Sequence, residues 1–107
     1  MSDHNPDNWV IFKILGETLP YRILAGWSSS YLYGTSWRIN SGIIRVEEDD
    51  EYYTFYGVSN SCYKCHKSAY GLRANNAHIW EKLQNQTYTV ELMDVDNDWV
   101  NMDWGTI

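Results

Sequence analysis

Short apolar runs separated by polar breaks divide the first two thirds of this chain into strand-length segments. The runs are rich in β-branched and aromatic residues, which suit half-buried or buried strands. The pattern predicts strands at residues 8–15, 21–27, 37–40, 43–46 and 52–58. Residues 62–67 fit either a short strand or a turn.

The last third of the chain changes periodicity. Ile79, Trp80 and Leu83 recur at a spacing that places them on one face of a helix, which predicts a main helix near residues 74–84, with Asn75 or Asn76 as its cap. Residues 87–93 then alternate between apolar and polar, as in a half-buried strand. The tail, residues 94–107, suits one short helix.

These elements predict an α+β fold for residues 1–107 as a single domain. Five or six strands with hairpin-like spacings favour an antiparallel, mostly meander sheet packed with the one main helix. Strands and helices do not alternate along the chain, so a parallel sheet is not expected. A length of 107 residues is that of one domain.

Composition and charge narrow the classes of function. A hydrophobic fraction of 44% and an aromatic fraction of 16% exclude a disordered chain. A net charge of −6 disfavours direct binding to nucleic acid or to an anionic membrane. With no leader-like start and no apolar run of membrane-spanning length, the sequence predicts a cytoplasmic protein without a membrane partner.

The cysteine stretch at residues 62–66 is the sharpest motif. Cys62, Cys65 and His66 match the C-x-x-C-H pattern of c-type haem attachment, and His78 would complete a set of four zinc ligands. If the stretch is a strand, however, its two thiols point to opposite faces. A second pair of zinc ligands is also missing, so we predict no cofactor and keep haem or zinc as the alternative.

No catalytic signature is present. The chain contains no G-x-S-x-G elbow, no P-loop and no dinucleotide-binding glycine motif. Asp94, Asp96 and Asp98 open like a calcium loop, but Trp99 and Gly105 stand where that loop needs glycine and glutamate. We therefore predict that the protein is not an enzyme, although a site assembled from scattered residues would escape a motif search.

Residues 34–67 (GTSWRINSGIIRVEEDDEYYTFYGVSNSCYKCHK) resemble the small acidic accessory proteins of large tailed bacteriophages. The resemblance implies a host-takeover or anti-defence role in the host cytoplasm. An anti-CRISPR or anti-restriction inhibitor of this type acts by binding a host complex.

The leading hypothesis is thus a protein-binding module whose partner is a host protein, or a protein–nucleic-acid complex, with a basic surface. Acidic side chains would speed the encounter, and exposed rings would add affinity. The candidate partner-binding residues are Glu47, Glu48, Asp49, Asp50, Glu51, Asp94, Asp96, Asp98, Trp99 and Trp104. Tyr31 and Tyr33, in a predicted loop, are further exposed-ring candidates. A single-strand nucleic-acid binder is disfavoured because such proteins combine their rings with a basic groove.

Overall fold

The computed structural model describes residues 2–28, 35–86 and 89–105. The described residues form eight strands, one α-helix and two short 3₁₀ helices. The strands are β1 (Ser2–His4), β2 (Asn8–Ile14), β3 (Tyr21–Ser28), β4 (Thr35–Ile39), β5 (Ile43–Glu48), β6 (Tyr52–Gly57), β7 (Ser61–His66) and β8 (Val90–Leu92). The helix is α1 (Ala77–Gln84), and the 3₁₀ helices are Lys67–Ala69 and Trp99–Asn101.

The described strands form two sheets of four. The mixed sheet has the order β1-β7-β6-β5, with β1 parallel to β7 and the other pairs antiparallel. The antiparallel sheet has the order β4-β3-β2-β8. The α+β class is confirmed, but the expectation of one antiparallel sheet with five or six strands is wrong.

Strand β2 explains why the chain forms layers. Its residues alternate between two cores: Trp9 and Ile11 face the mixed sheet, while Val10 and Phe12 face α1. A strand buried on both faces must lie in a middle layer, which accounts for its continuous apolar run. The order of layers is therefore mixed sheet, antiparallel sheet and helix.

The core between the sheets is aromatic. The ring of Trp9 lies 4.7 Å from that of Tyr70, 5.3 Å from that of Phe55 and 6.2 Å from that of Trp99. Trp104 lies 5.3 Å from Tyr21 and 6.0 Å from Phe55 in edge-on contacts. Such tilted and edge-on pairs add to the stabilisation from burial alone.

The tail supplies two of these rings, Trp99 and Trp104. The sequence predicted one short helix for the tail, and that prediction is wrong. Within residues 94–105, the part of the tail that the structure describes, Trp99–Asn101 is the one helical turn, and the backbone is extended at Met102. Extended backbone after the turn allows both Trp99 and Trp104 to enter the space between the sheets.

Helix α1 begins at Ala77, three residues later than predicted. The delay arises because Asn76 bonds elsewhere: its Oδ1 accepts from the backbone of Arg73 at 2.8 Å, and its Nδ2 donates to the carbonyl of Leu24 at 3.4 Å. Asn76 occupies the N-cap position but makes no side-chain capping bond. The predicted apolar face of the helix does pack on the antiparallel sheet.

The local pattern placed β2 to β6 within a few residues. Of the two alternatives for residues 62–67, the strand is the one observed, as Ser61–His66, and Lys67 begins a 3₁₀ helix. The pattern missed β1, which lies in the polar start of the chain. Tyr31, Tyr33 and the beginning of the predicted strand 87–93 lie outside the described residues. Within the described ranges, no helix is long and apolar enough to cross a membrane.

Candidate functional site

The acidic run forms the tip of the hairpin that joins β5 to β6. Strand β5 continues through Glu48, so Glu47 and Glu48 lie in the ladder, opposite Thr54 and Tyr53. Only residues 49–51 make the turn that was predicted for the whole run. We call residues 47–51 the acidic hairpin tip.

Asp49 holds the backbone of the tip in place. Its Oδ1 accepts hydrogen bonds from the backbone N–H of Glu51 at 2.9 Å and of Tyr52 at 2.7 Å. These two donors lower the pKa of Asp49 below its usual value. Asp49 therefore has a structural role, because its carboxylate bridges the backbone of the turn.

Glu47 and Glu48 are paired within the protein. Glu47 accepts from Arg45 at 2.9 Å, and Glu48 pairs with Lys67. The Tyr56 hydroxyl and then the Arg45 guanidinium lower the pKa of Glu47. Exposed pairs of this kind contribute little to stability. They do, however, reduce the charge that these two acids offer to a partner.

Asp50 and Glu51 differ from the other three acids. Both are exposed, and no side-chain hydrogen bond or ion pair joins them to any residue that the structure describes. They line an open depression beside the tip together with Asp49, Tyr52 and Lys64. The tip thus presents two carboxylates, those of Asp50 and Glu51, that are unpaired among the described residues. The carboxylate of Asp49 holds the backbone that carries them.

The acids of the tail shape the turn that leads to Trp99. The backbone carbonyl of Asp94 accepts a hydrogen bond from the side chain of Asn97 at 2.7 Å, and the Asp98 carboxylate accepts one from the side chain of Asn101 at 2.7 Å. Asp96 donates its backbone N–H to Asp94 at 3.4 Å. All three carboxylates are exposed, and the 3₁₀ helix that follows them packs against β5.

Trp99 and Trp104 do not belong to this surface. They are 1% and 6% exposed, and they pack in the core between the sheets. The expectation that they are exposed anchors is wrong, because the intersheet space is filled by rings from the tail. Neither ring is therefore available to a partner at this surface.

The residues of the cofactor alternative are not brought together. Cys65 faces the intersheet core beside Tyr63, whereas Cys62 faces the other side of β7. His66 accepts from the backbone of Ser68 at 3.1 Å, and His78 is exposed on α1, beyond the antiparallel sheet. Among the described residues, no group of three or more metal-ligating side chains is close enough to hold an ion. The geometry therefore does not support haem or zinc at Cys62, Cys65, His66 and His78.

Both thiols are held in the protonated form. Burial, together with a hydrogen bond of 2.9 Å to the Asp3 carboxylate, raises the pKa of Cys62 to about 11. Burial raises the pKa of Cys65 well above its usual value. Because the thiolate is the nucleophile and the metal ligand, we expect both cysteines to react slowly in the folded protein.

We expect the folded protein to resist iodoacetamide at about pH 8, a pH at which free thiols react. In urea, where burial is lost, both cysteines should be alkylated, and intact mass would show two additions per chain. Alkylation of Cys62 at the same rate with and without urea would contradict the buried, protonated state.

Sequence reasoning missed the partners of the tyrosines on β6. Arg45 lies 3.7 Å from the ring centre of Tyr56, and the Lys64 ammonium lies 4.7 Å from that of Tyr52. The alternation of residues 52, 54 and 56 along a strand indicated that they share one face, but the cations that contact the two rings come from the neighbouring strands β5 and β7.

Comparison with protein-family models, with curated proteins and with solved structures finds no match to this chain.

Proposed function

We propose that this protein is a non-enzymatic binding module that docks its acidic hairpin tip on a basic surface of a partner protein. The observation that supports this is the pair of unpaired carboxylates, Asp50 and Glu51, on a tip whose backbone is fixed by Asp49. A pre-ordered tip loses little conformational entropy on binding, which favours affinity.

The charge of the whole chain supports the same direction of attraction. At −6, the protein repels nucleic acid and is drawn to basic surfaces, which speeds association. Proteins that process nucleic acid carry such basic grooves. The acids of the tail, Asp94, Asp96 and Asp98, extend the acidic surface in this proposal.

The resemblance to bacteriophage accessory proteins supports a more specific form of the proposal. The partner would be a host nucleic-acid-processing or defence complex in the cytoplasm, and the protein would inhibit it by occupying its basic groove. Inhibition of the anti-CRISPR or anti-restriction type requires only binding, which agrees with a chain proposed to have no catalytic role.

The proposal is tested with a pair of matched variants. Asp50→Asn with Glu51→Gln removes the two unpaired charges at the tip. Glu81→Gln with Glu91→Gln removes two exposed charges from α1 and β8, on the antiparallel sheet and its helix. Each immobilised protein is used to capture partners from a bacterial lysate, and a captured protein is then purified and its affinity measured at low and high salt.

We expect the native chain and the control variant to retain the same partner and the tip variant to bind it about two- to thirtyfold more weakly at low salt. The difference should shrink at high salt, because ions screen exposed charges. If the tip and control variants bind equally at low salt, or if no protein is retained in a tip-dependent manner, the proposal is wrong.

A further inference from the structure

The outer face of the mixed sheet, which points away from the antiparallel sheet, carries half-buried residues of β6 flanked by the exposed side chains of Arg45 and Lys64. Tyr53 and Phe55 of β6 pack inward, so Tyr52, Thr54 and Tyr56 point outward. Lys64 of β7 lies opposite Thr54 on the same face. This face adjoins the acidic hairpin tip, because β6 begins immediately after it.

The two outward tyrosines already hold cations. The Arg45 guanidinium lies 3.7 Å from the ring centre of Tyr56, and the Lys64 ammonium lies 4.7 Å from that of Tyr52. A cation within about 6 Å of an aromatic ring centre is attracted by the electrons of the ring face. The rings are therefore oriented to receive positive charge from the outer face.

Carboxylates lie beside each ring. One depression near the tip combines Tyr52 and Lys64 with Asp49, Asp50 and Glu51. Another combines Tyr56 and Thr54 with Glu47, Glu48 and Asp49. The depression beside Tyr52 thus offers an aromatic ring and several carboxylate oxygens to the same incoming group. At Tyr56 the Arg45 guanidinium already covers the ring and pairs with Glu47.

The charge balance of this region selects a cationic occupant. The tip carries five acids, whereas the bases next to it are Arg45, Lys64 and Lys67. After the ion pairs within the described residues are formed, the carboxylates of Asp50 and Glu51 are left without a basic partner. A ring and carboxylates together match guanidinium better than ammonium, since guanidinium is planar, stacks on rings and bonds carboxylates in a bidentate manner.

We propose that the outer face of the mixed sheet binds an arginine-bearing segment of the partner, with a guanidinium group placed against the ring of Tyr52 and the carboxylates of the tip. The inference rests on the proposed function and names the chemistry of its partner.

Lys64 has a defined part in this arrangement. Its ammonium occupies the ring of Tyr52, so an incoming guanidinium must displace it. Lysine is flexible and strongly hydrated, which makes the displacement easy. Replacing Lys64 by glutamine should therefore strengthen binding by more than the loss of one distant positive charge would.

The test uses fluorescently labelled oligoarginine and oligolysine peptides of equal length, titrated with the full chain and followed by anisotropy. We expect oligoarginine to bind more tightly than oligolysine. Tyr52→Leu should weaken oligoarginine binding about two- to fivefold, while Tyr52→Phe, which keeps the ring, should not. Lys64→Gln should strengthen binding more than Lys82→Gln, which removes the same charge from α1 on the far side of the antiparallel sheet.

The outcomes separate this inference from the proposed function. If both peptides bind equally, with Tyr52→Leu unchanged and Lys64→Gln no stronger than Lys82→Gln, the arginine site is wrong while an acidic docking tip stands. If neither peptide binds at low salt, both proposals are wrong. A preference for oligoarginine that Tyr52→Leu abolishes supports the site.

Discussion

Replacing Trp9 by alanine is expected to lower the free energy of unfolding by about 3–5 kcal/mol, the usual cost of removing a large buried ring. Trp9 is 1% exposed and contacts rings from β6, from Tyr70 and from the tail. Its indole Nε1 also donates to the carbonyl of His66 at 2.8 Å, which ties β2 to β7. The substitution therefore leaves a cavity and an unpaired carbonyl where the two sheets meet.

The measurement is urea unfolding followed by circular dichroism. Trp37→Ala serves as the matched control, because Trp37 is 46% exposed on β4 and its loss should cost clearly less stability than the loss of Trp9. A small domain has only about 5–15 kcal/mol of stability in total, so the Trp9 variant should unfold at a much lower urea concentration. Equal midpoints for the two variants would show that the aromatic core does not hold the sheets together.

Gly26→Ala is expected to destabilise the protein by about 2–4 kcal/mol, although it adds only one methyl group. A Cβ at Gly26 would lie 2.2 Å from Oδ1 of Asn75, so the asparagine must move. Asn75 donates to Oδ1 of Asn8, and Nδ2 of Asn8 donates to the carbonyl of Gly71 at 3.1 Å. All of this lies in the buried junction between β2, β3 and the segment before α1, where broken hydrogen bonds are costly.

A double-mutant cycle tests the cause of this effect. Asn75→Ala alone should be destabilising, because it leaves the amide of Asn8 with one partner fewer. In the double variant the new methyl group has space. The loss of unfolding free energy in the double variant should therefore be clearly less than the sum of the losses in the two single variants. Additive costs would show that the contact with Asn75 is not what excludes a side chain at residue 26.

Strand β6 connects this stability to the proposed function. Its inward residues, Tyr53 and Phe55, pack on the aromatic core, and its outward residues, Tyr52 and Tyr56, face the proposed partner. Because alternate residues serve the two roles, the outer face can be changed without opening the core. The binding variants described above should therefore fold normally, whereas Trp9→Ala should weaken every function of the protein at once.

The candidate site was only partly visible in the sequence. The run of five acids is unmistakable in the printed chain, and its position between two strands predicts a hairpin. Which of the acids are available to a partner depends on residues far along the chain, such as Lys67, which pairs with Glu48. The same holds for the rings: the cation above Tyr52 comes from β7, and no local pattern relates the two.

The local pattern by itself determined most strands, the apolar face of α1 and the α+β class, because the alternation of apolar and polar residues is set by neighbours within one turn or strand. Tertiary structure alone decided that the strands form two sheets and that β1 pairs with β7, some sixty residues away. It also decided that Trp99 and Trp104, in a polar and acidic tail, fill the space between those sheets. The physical reason is that burial and strand pairing are properties of distant segments in contact, and a residue's own neighbours do not record them.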